Sequence, residues 1–157
     1  MLVTGPYSDL YFGPPRGIFN IKEKKVTFQG TGDEQISFTS MRDVGRLLVA
    51  ALKRPTDLHE RILKVNSFTA TGKEALMEFE KQTGGNWEIS YTPLEEVKRL
   101  EREAWEEDNS YKTGFTLRRI WLEGGTLYKE RDNGKIGFEG YEEGLEEQVR
   151  KIIAKQE

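Results

Sequence analysis

Hydrophobic and polar residues alternate in short runs over the N-terminal part of the chain. Leu2 to Thr4 is a short apolar, β-prone run cut off by Gly5-Pro6, which predicts a strand followed by a loop. Between Ile18 and Phe38, three short apolar runs are separated by charged or glycine-rich residues. This pattern predicts two or three short antiparallel strands.

Helical spacing of apolar residues begins after Ser40. Asp43 follows three residues later, and apolar residues recur at helical spacing until Pro55, so the pattern predicts a capped amphipathic helix. The segment from Arg61 to Val65 predicts a second buried strand.

The middle of the chain contains a clear helix-initiation signal. Thr71 and Glu74 form a Thr-x-x-Glu capping box, and Gly84-Gly85 is typical of a helix end, so a helix is predicted between them. Trp87 to Tyr91 alternates as a strand.

The C-terminal part of the chain predicts further helices. Thr92 as N-cap with Pro93 in the first turn and Glu95 at N3 indicates a helix start. The inner face predicted for this helix comprises Leu94, Val97, Leu100, Ala104 and Trp105.

The stretch from Thr113 to Leu122 fits a helix or a strand, with the helix favoured. A terminal helix is predicted from the spacing of Leu145, Val149, Ile152 and Ile153.

Composition narrows the class of protein. The chain has 157 residues, enough for one domain over 1–157, with 36% hydrophobic and 32% charged residues and a net charge of −3. We expect a globular protein that binds neither nucleic acid nor an acidic membrane surface. The sequence after Met1 has no signal-peptide or membrane-span pattern, so a cytoplasmic location is expected.

Residue counts also limit the chemistry. There is no cysteine, which excludes disulfides, thiolate nucleophiles and iron–sulfur ligation within the chain. His59 is the single histidine, so a paired-histidine metal site is excluded and a Ser-His-Asp triad would depend on this one ring. We predict that His59 is a solvated loop residue and that the chain has no metal site.

Several short segments, in their order and spacing, carry a family resemblance that spans most of the chain. These segments are Gly5 to Tyr7, Gly30 to Asp33, Ile36 to Arg46, Arg61 to Asn66, Thr71 with Glu74, Phe79 to Gly84, Trp87 to Tyr91 and Leu117 to Gly125. Together they resemble the NmrA-like branch of the atypical short-chain dehydrogenase/reductases, and fungal isoflavone-reductase-like proteins in particular.

The resemblance covers only the C-terminal half of that family. It implies an α/β fold of α+β-like character: a truncated lobe with a small mixed sheet and four to five helices. The family's N-terminal Rossmann half, with its glycine turn and catalytic lysine, has no counterpart among these residues. NADP(H) is therefore expected only for full-length relatives, and no cofactor is predicted for this chain.

Gly30-Thr-Gly32 is the segment that we compare with the glycine-rich motif of dinucleotide-binding proteins. It lacks a third glycine, is followed by Asp33 and leads toward a strand, whereas a pyrophosphate needs a glycine turn that opens a helix. We predict a hairpin turn here.

The missing strands of the resemblance have a physical consequence. Leu2 to Thr4 and Ile62 to Val65 would be two late strands of a sheet whose other strands are absent, and open strand edges invite pairing. Such a chain should dimerise, bind a partner chain or repack. We predict a homodimer.

In the family, a substrate pocket lies beside the loop that follows the first strand of this chain. By resemblance, Tyr7, Asp9, Tyr11 and Phe12 line it, and the catalytic candidates are Asp9, Tyr11 and Tyr7. The alternative is that these aromatic residues pack beneath the lobe.

Further candidates lie outside that loop. Phe38, Arg42 and Trp121, together with Phe12, are predicted to bind substrate. Asp43 is predicted to stabilise the start of its helix.

Three functions fit these residues. The first is a cofactor-independent biosynthetic enzyme, an isomerase or cyclase, that reuses the family's substrate pocket for a small molecule. The second is a non-catalytic regulatory or binding module. The third is half of an NAD(P)H-dependent reductase, although the missing glycine fingerprint argues against autonomous redox chemistry.

Overall fold

The computed structural model describes residues 1–14, 17–54 and 62–155. Its strands are β1 (Leu2–Val3), β2 (Phe19–Asn20), β3 (Lys25–Gln29), β4 (Ile36–Phe38), β5 (Leu63–Lys64), β6 (Phe68–Ala70) and β7 (Glu88–Thr92). Its α-helices are α1 (Ser8–Phe12), α2 (Met41–Leu52), α3 (Gly72–Thr83), α4 (Leu94–Glu106), α5 (Lys112–Leu122) and α6 (Leu145–Ala154), and a 3₁₀ turn spans Gly134–Ile136.

The strands form three small sheets in the described part of the chain. β1 pairs in parallel with β5, β4 pairs antiparallel with β6, and the third sheet has the order β2-β3-β7. Within that third sheet, β2 runs antiparallel to β3, whereas β3 and β7 are parallel, with Val26 opposite Ile89. The mixed α/β class is confirmed, in three separate sheets and six α-helices.

Two helix starts confirm their sequence signals. The Ser40 hydroxyl accepts a 3.1 Å hydrogen bond from the Asp43 N–H, and α2 ends before Pro55. At α3 the capping box is reciprocal: Thr71 Oγ1 accepts from the Glu74 N–H at 3.1 Å, and Glu74 Oε2 accepts from the Thr71 N–H at 2.7 Å. These contacts join near neighbours in sequence, which is why the pattern could predict them.

The main core is aromatic and joins the sheets to α1, α3 and α6. Phe19 stacks on Phe79 with ring centroids 4.3 Å apart, and Trp87 contacts both rings. The buried members of this core include Phe12, Phe19, Val26, Phe28, Ile36, Phe38, Phe79, Trp87, Val149 and Ile152. A second, smaller core lies beneath α2 and comprises Leu47, Leu63, Val65, Ile136 and Phe138.

Several predictions of local structure are wrong. The loop after Gly5-Pro6 contains the short helix α1, and the strand β6 was not predicted. β4 pairs with β6 and not with β3, so the turn after β3 is not a hairpin. Thr92 lies in β7 and α4 begins after Pro93, with no side-chain cap.

The predicted inner face of α4 needs one correction. Trp105 is 53% exposed, its Nε1 donates a 2.9 Å hydrogen bond to Thr116, and the Lys112 ammonium lies 4.8 Å from its ring centroid. Val97 and Ala104 are buried as predicted. The side chain of Trp105 therefore bridges α4 and α5 on the outside of the molecule.

Two of the predictions concern His59 with the strand beginning at Arg61, and membrane-spanning segments. His59 and the start of the strand predicted from Arg61 lie outside the described residues. Across the described residues, no helix is long and apolar enough to cross a membrane.

Candidate ligand-binding cleft

A cleft of about 710 Å³ lies between β1, α1 and α5. Its walls are the first strand and the turn after it, the inner side of α1, and one face of α5. The lining residues are Leu2, Val3, Thr4, Gly5, Pro6, Tyr7, Leu10, Tyr11, Ile18, Tyr111, Gly114, Leu117, Arg118, Trp121 and Thr126. This set is mostly apolar and aromatic, which is typical of a small-molecule site.

Gly5 shapes the turn where β1 meets the cleft. Its φ of +66° lies in the left-handed region, and a Cβ built there would stand 2.2 Å from the Ser37 carbonyl oxygen. Only glycine allows this close approach of the two backbones, so the cleft wall depends on it.

Tyr11 lies at the centre of the aromatic wall. Its ring contacts Phe38 at 5.0 Å and Trp121 at 5.5 Å between centroids, both edge-on. Burial raises the pKa of the Tyr11 phenol well above its ordinary value, and the nearby Arg118 charge only partly opposes this rise. The hydroxyl therefore stays protonated at neutral pH and can donate a hydrogen bond.

Arg118 is the one cation among the cleft-lining residues that the structure describes. Its guanidinium lies 5.2 Å from the Tyr111 ring centroid. The Gln29 side-chain amide, with its oxygen turned toward Arg118, accepts hydrogen bonds of 2.7 and 3.2 Å from Nη1 and Nε. These contacts hold the cation at the edge of an otherwise apolar cleft.

Thr126 also lines the cleft. Its Oγ1 is buried and, among the atoms that the structure describes, has no hydrogen-bond partner. Buried hydroxyls are normally paired, because leaving one unpaired costs free energy. Thr126 therefore contributes to the cleft wall through the rest of its side chain, while its hydroxyl stays closed to solvent.

The three catalytic candidates are not brought together. Tyr7 and Tyr11 line the cleft, but Asp9 is not among its lining residues. The Asp9 carboxylate accepts a 2.8 Å hydrogen bond from the Met41 N–H at the start of α2 and lies 3.4 Å from the Lys155 ammonium. Asp9 therefore joins α1 to α2 and to the end of α6.

The four substrate-binding candidates are also divided. Trp121 lines the cleft, and its role in substrate binding stays a prediction. Phe12 and Phe38 are fully buried core residues behind Tyr11 and do not line the cleft, so the structure places neither where a ligand in it could make contact. Arg42 does not line the cleft, and it forms a 2.9 Å ion pair with Glu143.

Sequence reasoning missed Arg118 and Thr126. The signal for Arg118 was present, since it falls at the cleft-facing spacing of Gly114, Leu117 and Trp121 along α5. No local pattern marks Thr126, because its unpaired hydroxyl depends on the tertiary fold.

Asp43 has a different role from the one predicted. Its own N–H is capped by Ser40, while its fully buried carboxylate accepts from Ser67 Oγ at 2.7 Å and from the Arg46 guanidinium at 2.8 Å. It also accepts from the Glu143 N–H at 2.8 Å. This cluster ties α2 to two distant segments and is structural.

The turn after β3 does not offer a phosphate-binding site. In the turn after β3, the Glu34 carboxylate accepts from the N–H groups of Thr31 and Gly32, each at 2.9 Å. Those backbone donors are the ones that a phosphate would need, and they already hold a side-chain anion. Among the described residues, no group of three or more histidine or acidic side chains is placed to hold a metal ion.

The fold belongs to a known structural class. An isoflavone reductase superposes with a TM-score of 0.76 at 15% identity, over 96% of this chain and 51% of that one. A nucleoside-diphosphate-sugar epimerase from Staphylococcus aureus superposes with a TM-score of 0.64 at 18% identity, over 95% and 50%. The expected likeness to isoflavone reductase is confirmed at the level of the fold.

The sequence comparison adds one curated relative. An Aspergillus flavus oxidoreductase, aprR, is 30% identical over 98 residues, which is 62% of this chain and 33% of the relative. No family model matches the sequence. The chain thus spans about a third of this curated relative and about half of the two solved structures.

Proposed function

We propose that the cleft between β1, α1 and α5 binds an apolar, ring-containing small molecule. This molecule is the substrate of a biosynthetic enzyme, and this chain is the part of the enzyme that binds it. The observation that carries the proposal is the composition of the cleft. Its walls are aromatic and aliphatic, with the protonated hydroxyl of Tyr11 and the Arg118 guanidinium as separated polar points. This combination suits a flat compound with a few oxygen substituents.

Tyr11 is the best-placed group for chemistry. Its protonated hydroxyl can donate to a ligand carbonyl, which stabilises negative charge developing on that oxygen. An isomerase or cyclase reaction of the bound compound extends the proposal. In the described part of the cleft no carboxylate, histidine or lysine is present to act as a general base. Tyr7 or the ligand itself would have to accept the proton.

That missing base favours a second candidate, a non-catalytic binding module. The cleft would then hold its ligand with the same residues but leave it unchanged. The two solved neighbours are an isoflavone reductase and a nucleoside-diphosphate-sugar epimerase, which suggests one aromatic and one polar compound as probes.

To test binding, the chain is titrated separately with an isoflavone and with UDP-glucose. Tryptophan fluorescence reports the binding, because Trp121 lines the cleft. We expect saturable quenching by the isoflavone and none by UDP-glucose. Leu117→Gln should weaken binding about tenfold, because it places an amide on the apolar wall. Leu127→Gln is the matched control, since Leu127 has a similar exposure, 37% against 41%, and does not line the cleft.

Catalysis is tested separately by chromatography of the isoflavone after incubation. Turnover that is lost in Tyr11→Phe with binding retained supports the enzyme. Binding without turnover supports the module. If Leu117→Gln and Leu127→Gln weaken isoflavone binding equally, the ligand binds outside the cleft. That result would overturn both the enzyme proposal and the binding-module proposal.

A second copy of the chain is our proposal for the partner. In the β1–β5 pair, the carbonyls of Met1 and Val3 accept from the N–H groups of Leu63 and Val65. Because strand backbone groups alternate in direction, the N–H and C=O of Leu2 point to the opposite edge of β1. That edge is suited to pairing with β1 of another chain.

The mass in solution tests this proposal. We expect twice 18.1 kDa by light scattering for the wild type. Leu2→Pro removes the outward N–H without touching the β5 hydrogen bonds and should give the monomer mass. A monomeric wild type would refute the dimer.

A further inference from the structure

A second cavity of about 780 Å³ lies between the outer face of α2 and the segment that follows the 3₁₀ turn. It shares no lining residue with the cleft described above. The residues that line it are Arg42, Gly45, Arg46, Val49, Ala50, Lys53, Arg54, Ile136, Gly137, Phe138 and Tyr141. We call it the basic cavity.

The basic cavity carries four cationic side chains and, among its described lining residues, no acidic one. Arg42 is paired with Glu143 at 2.9 Å, and Arg46 with Asp43 at 2.8 Å. Lys53 and Arg54, at the end of α2, form no ion pair with any residue that the structure describes. The cavity therefore keeps an excess of positive charge, which favours an anionic ligand.

The guanidinium groups of Arg46 and Arg54 have different neighbours. Arg46 is fixed from one side by the buried carboxylate of Asp43, and its guanidinium lies 4.9 Å from the Phe138 ring centroid. Arg54 lies against Gly137, where a built Cβ would stand 2.9 Å from Nη2. Gly137 has a φ of +69°, so the backbone there both turns and leaves room for the guanidinium.

Arg46 and Arg54 both line the basic cavity, Arg46 beside Phe138 and Arg54 beside Gly137. Arginine binds phosphate oxygens through paired N–H donors, and a group whose rotamers are already restricted loses less entropy on binding. A phosphate or carboxylate in the cavity can accept hydrogen bonds from Arg54, whose guanidinium has no ion-pair partner among the described residues.

The rest of the cavity is apolar. Val49 is 52% exposed and Tyr141 64% exposed, and both stand next to the buried ring of Phe138. Exposed apolar side chains beside a cationic cluster suit a ligand with a charged end and a ring.

We propose that the basic cavity is a second binding site, independent of the cleft, for a small organic phosphate that carries an aromatic ring. Arg54 and Lys53, which have no ion-pair partner among the described residues, hold the phosphate, and Val49, Phe138 and Tyr141 contact the ring. Arg42 is largely neutralised by its carboxylate partners and contributes little to binding.

The probe is phenyl phosphate, titrated against the ¹⁵N-labelled chain, with inorganic phosphate and phenol in parallel. We expect the amides of Gly45 and Gly137 to shift most, and phenyl phosphate to bind more tightly than either comparison compound. The double variant Lys53→Gln/Arg54→Gln should raise the dissociation constant by about tenfold or more. Both residues are exposed, so the fold should be unaffected.

The matched control is Lys22→Gln/Lys129→Gln, which removes the same charge from exposed positions outside the cavity. It should leave binding unchanged. Equal weakening in both double variants would show general charge attraction and overturn the site. Equal affinities for phenyl phosphate and inorganic phosphate would overturn the proposed ligand class, and shifts confined to the cleft, at Gly5 and Gly114, would place the ligand there instead.

Discussion

The buried carboxylate of Asp43 accepts a 2.8 Å hydrogen bond from the backbone N–H of Glu143, a residue 100 positions further along the chain. The same carboxylate holds Ser67 and Arg46, so three separate segments meet at one side chain. This single group therefore fixes the position of α2 relative to the start of α6.

Asp43→Asn tests the importance of that cluster. The amide cannot accept on both sides, so one buried donor loses its partner, at a cost of about 1–3 kcal/mol in the free energy of unfolding. Urea denaturation measures the change. Asp33→Asn, at an exposed ion pair with Lys73, is the control and should change stability by less than about 1 kcal/mol. Equal effects in the two variants would contradict the structural role of Asp43.

The acid dependence of stability should involve Glu143. Burial alone would raise the pKa of this carboxyl, but hydrogen bonds from Lys151 and Arg42 outweigh it and hold the pKa below its ordinary value. Since the folded-state pKa is the lower one, Glu143 stabilises the fold fully above the unfolded value of about 4.3. That contribution is lost as the pH falls through the folded-state pKa.

The measurement is the unfolding free energy of the wild type and of Glu143→Gln between neutral and strongly acidic pH. We expect the two curves to differ at neutral pH and to converge in acid. Glu130→Gln, at an exposed residue with no ion pair in the described structure, should run parallel to the wild type. A constant gap between wild type and Glu143→Gln would mean that its ionisation is not linked to folding.

Alanine substitution should lower the stability of the fold at Gly5 and raise it at Gly45. Gly5→Ala meets the Ser37 carbonyl at 2.2 Å and a positive φ, so we expect a loss of about 1–3 kcal/mol. Gly45→Ala lies in α2 with nothing within 4 Å of the new Cβ, and should gain about 0.5–1 kcal/mol from helix propensity. Thermal unfolding of both variants gives the answer. A stable Gly5→Ala protein would mean that the turn beside the cleft relaxes.

We expect no saturable heat when NADPH or NADP⁺ is titrated into this chain by calorimetry. The physical reason is that Glu34 occupies the N–H groups of Thr31 and Gly32 that a phosphate would need. Stoichiometric binding would contradict this and move the reductase hypothesis to first place. Glu34→Ala, which frees both donors, shows whether any such binding uses this turn.

Local signals predicted local structure well. The capping box of Thr71 and Glu74 joins residues three apart, so its two hydrogen bonds follow from the sequence alone. Pairings between distant segments did not follow. Whether β3 pairs with β4 or with β7 depends on how α3 packs against the aromatic core, and no short pattern contains that information.

In the candidate site, too, the sequence predicted some residue positions and missed others. Two tyrosines of the segment after β1, Tyr7 and Tyr11, do line a cleft, although a role in binding or catalysis stays a prediction. The side chain of Asp9 points elsewhere because α1 is helical, which turns residues two apart to different faces. A segment interpreted as a loop could not predict that separation.

The parallel pairing of β3 with β7 also determines the order of assembly. Thr27 and Ser90 share a 2.8 Å hydrogen bond across 63 residues, whereas Glu101 and Arg119, between α4 and α5, are 18 apart. Closing the longer loop costs about 1 kcal/mol more chain entropy. The α4–α5 pair should therefore form first, and pulse-labelled hydrogen exchange should find Ala104 protected before Val26. Folding would proceed from the C-terminal helices toward the sheet.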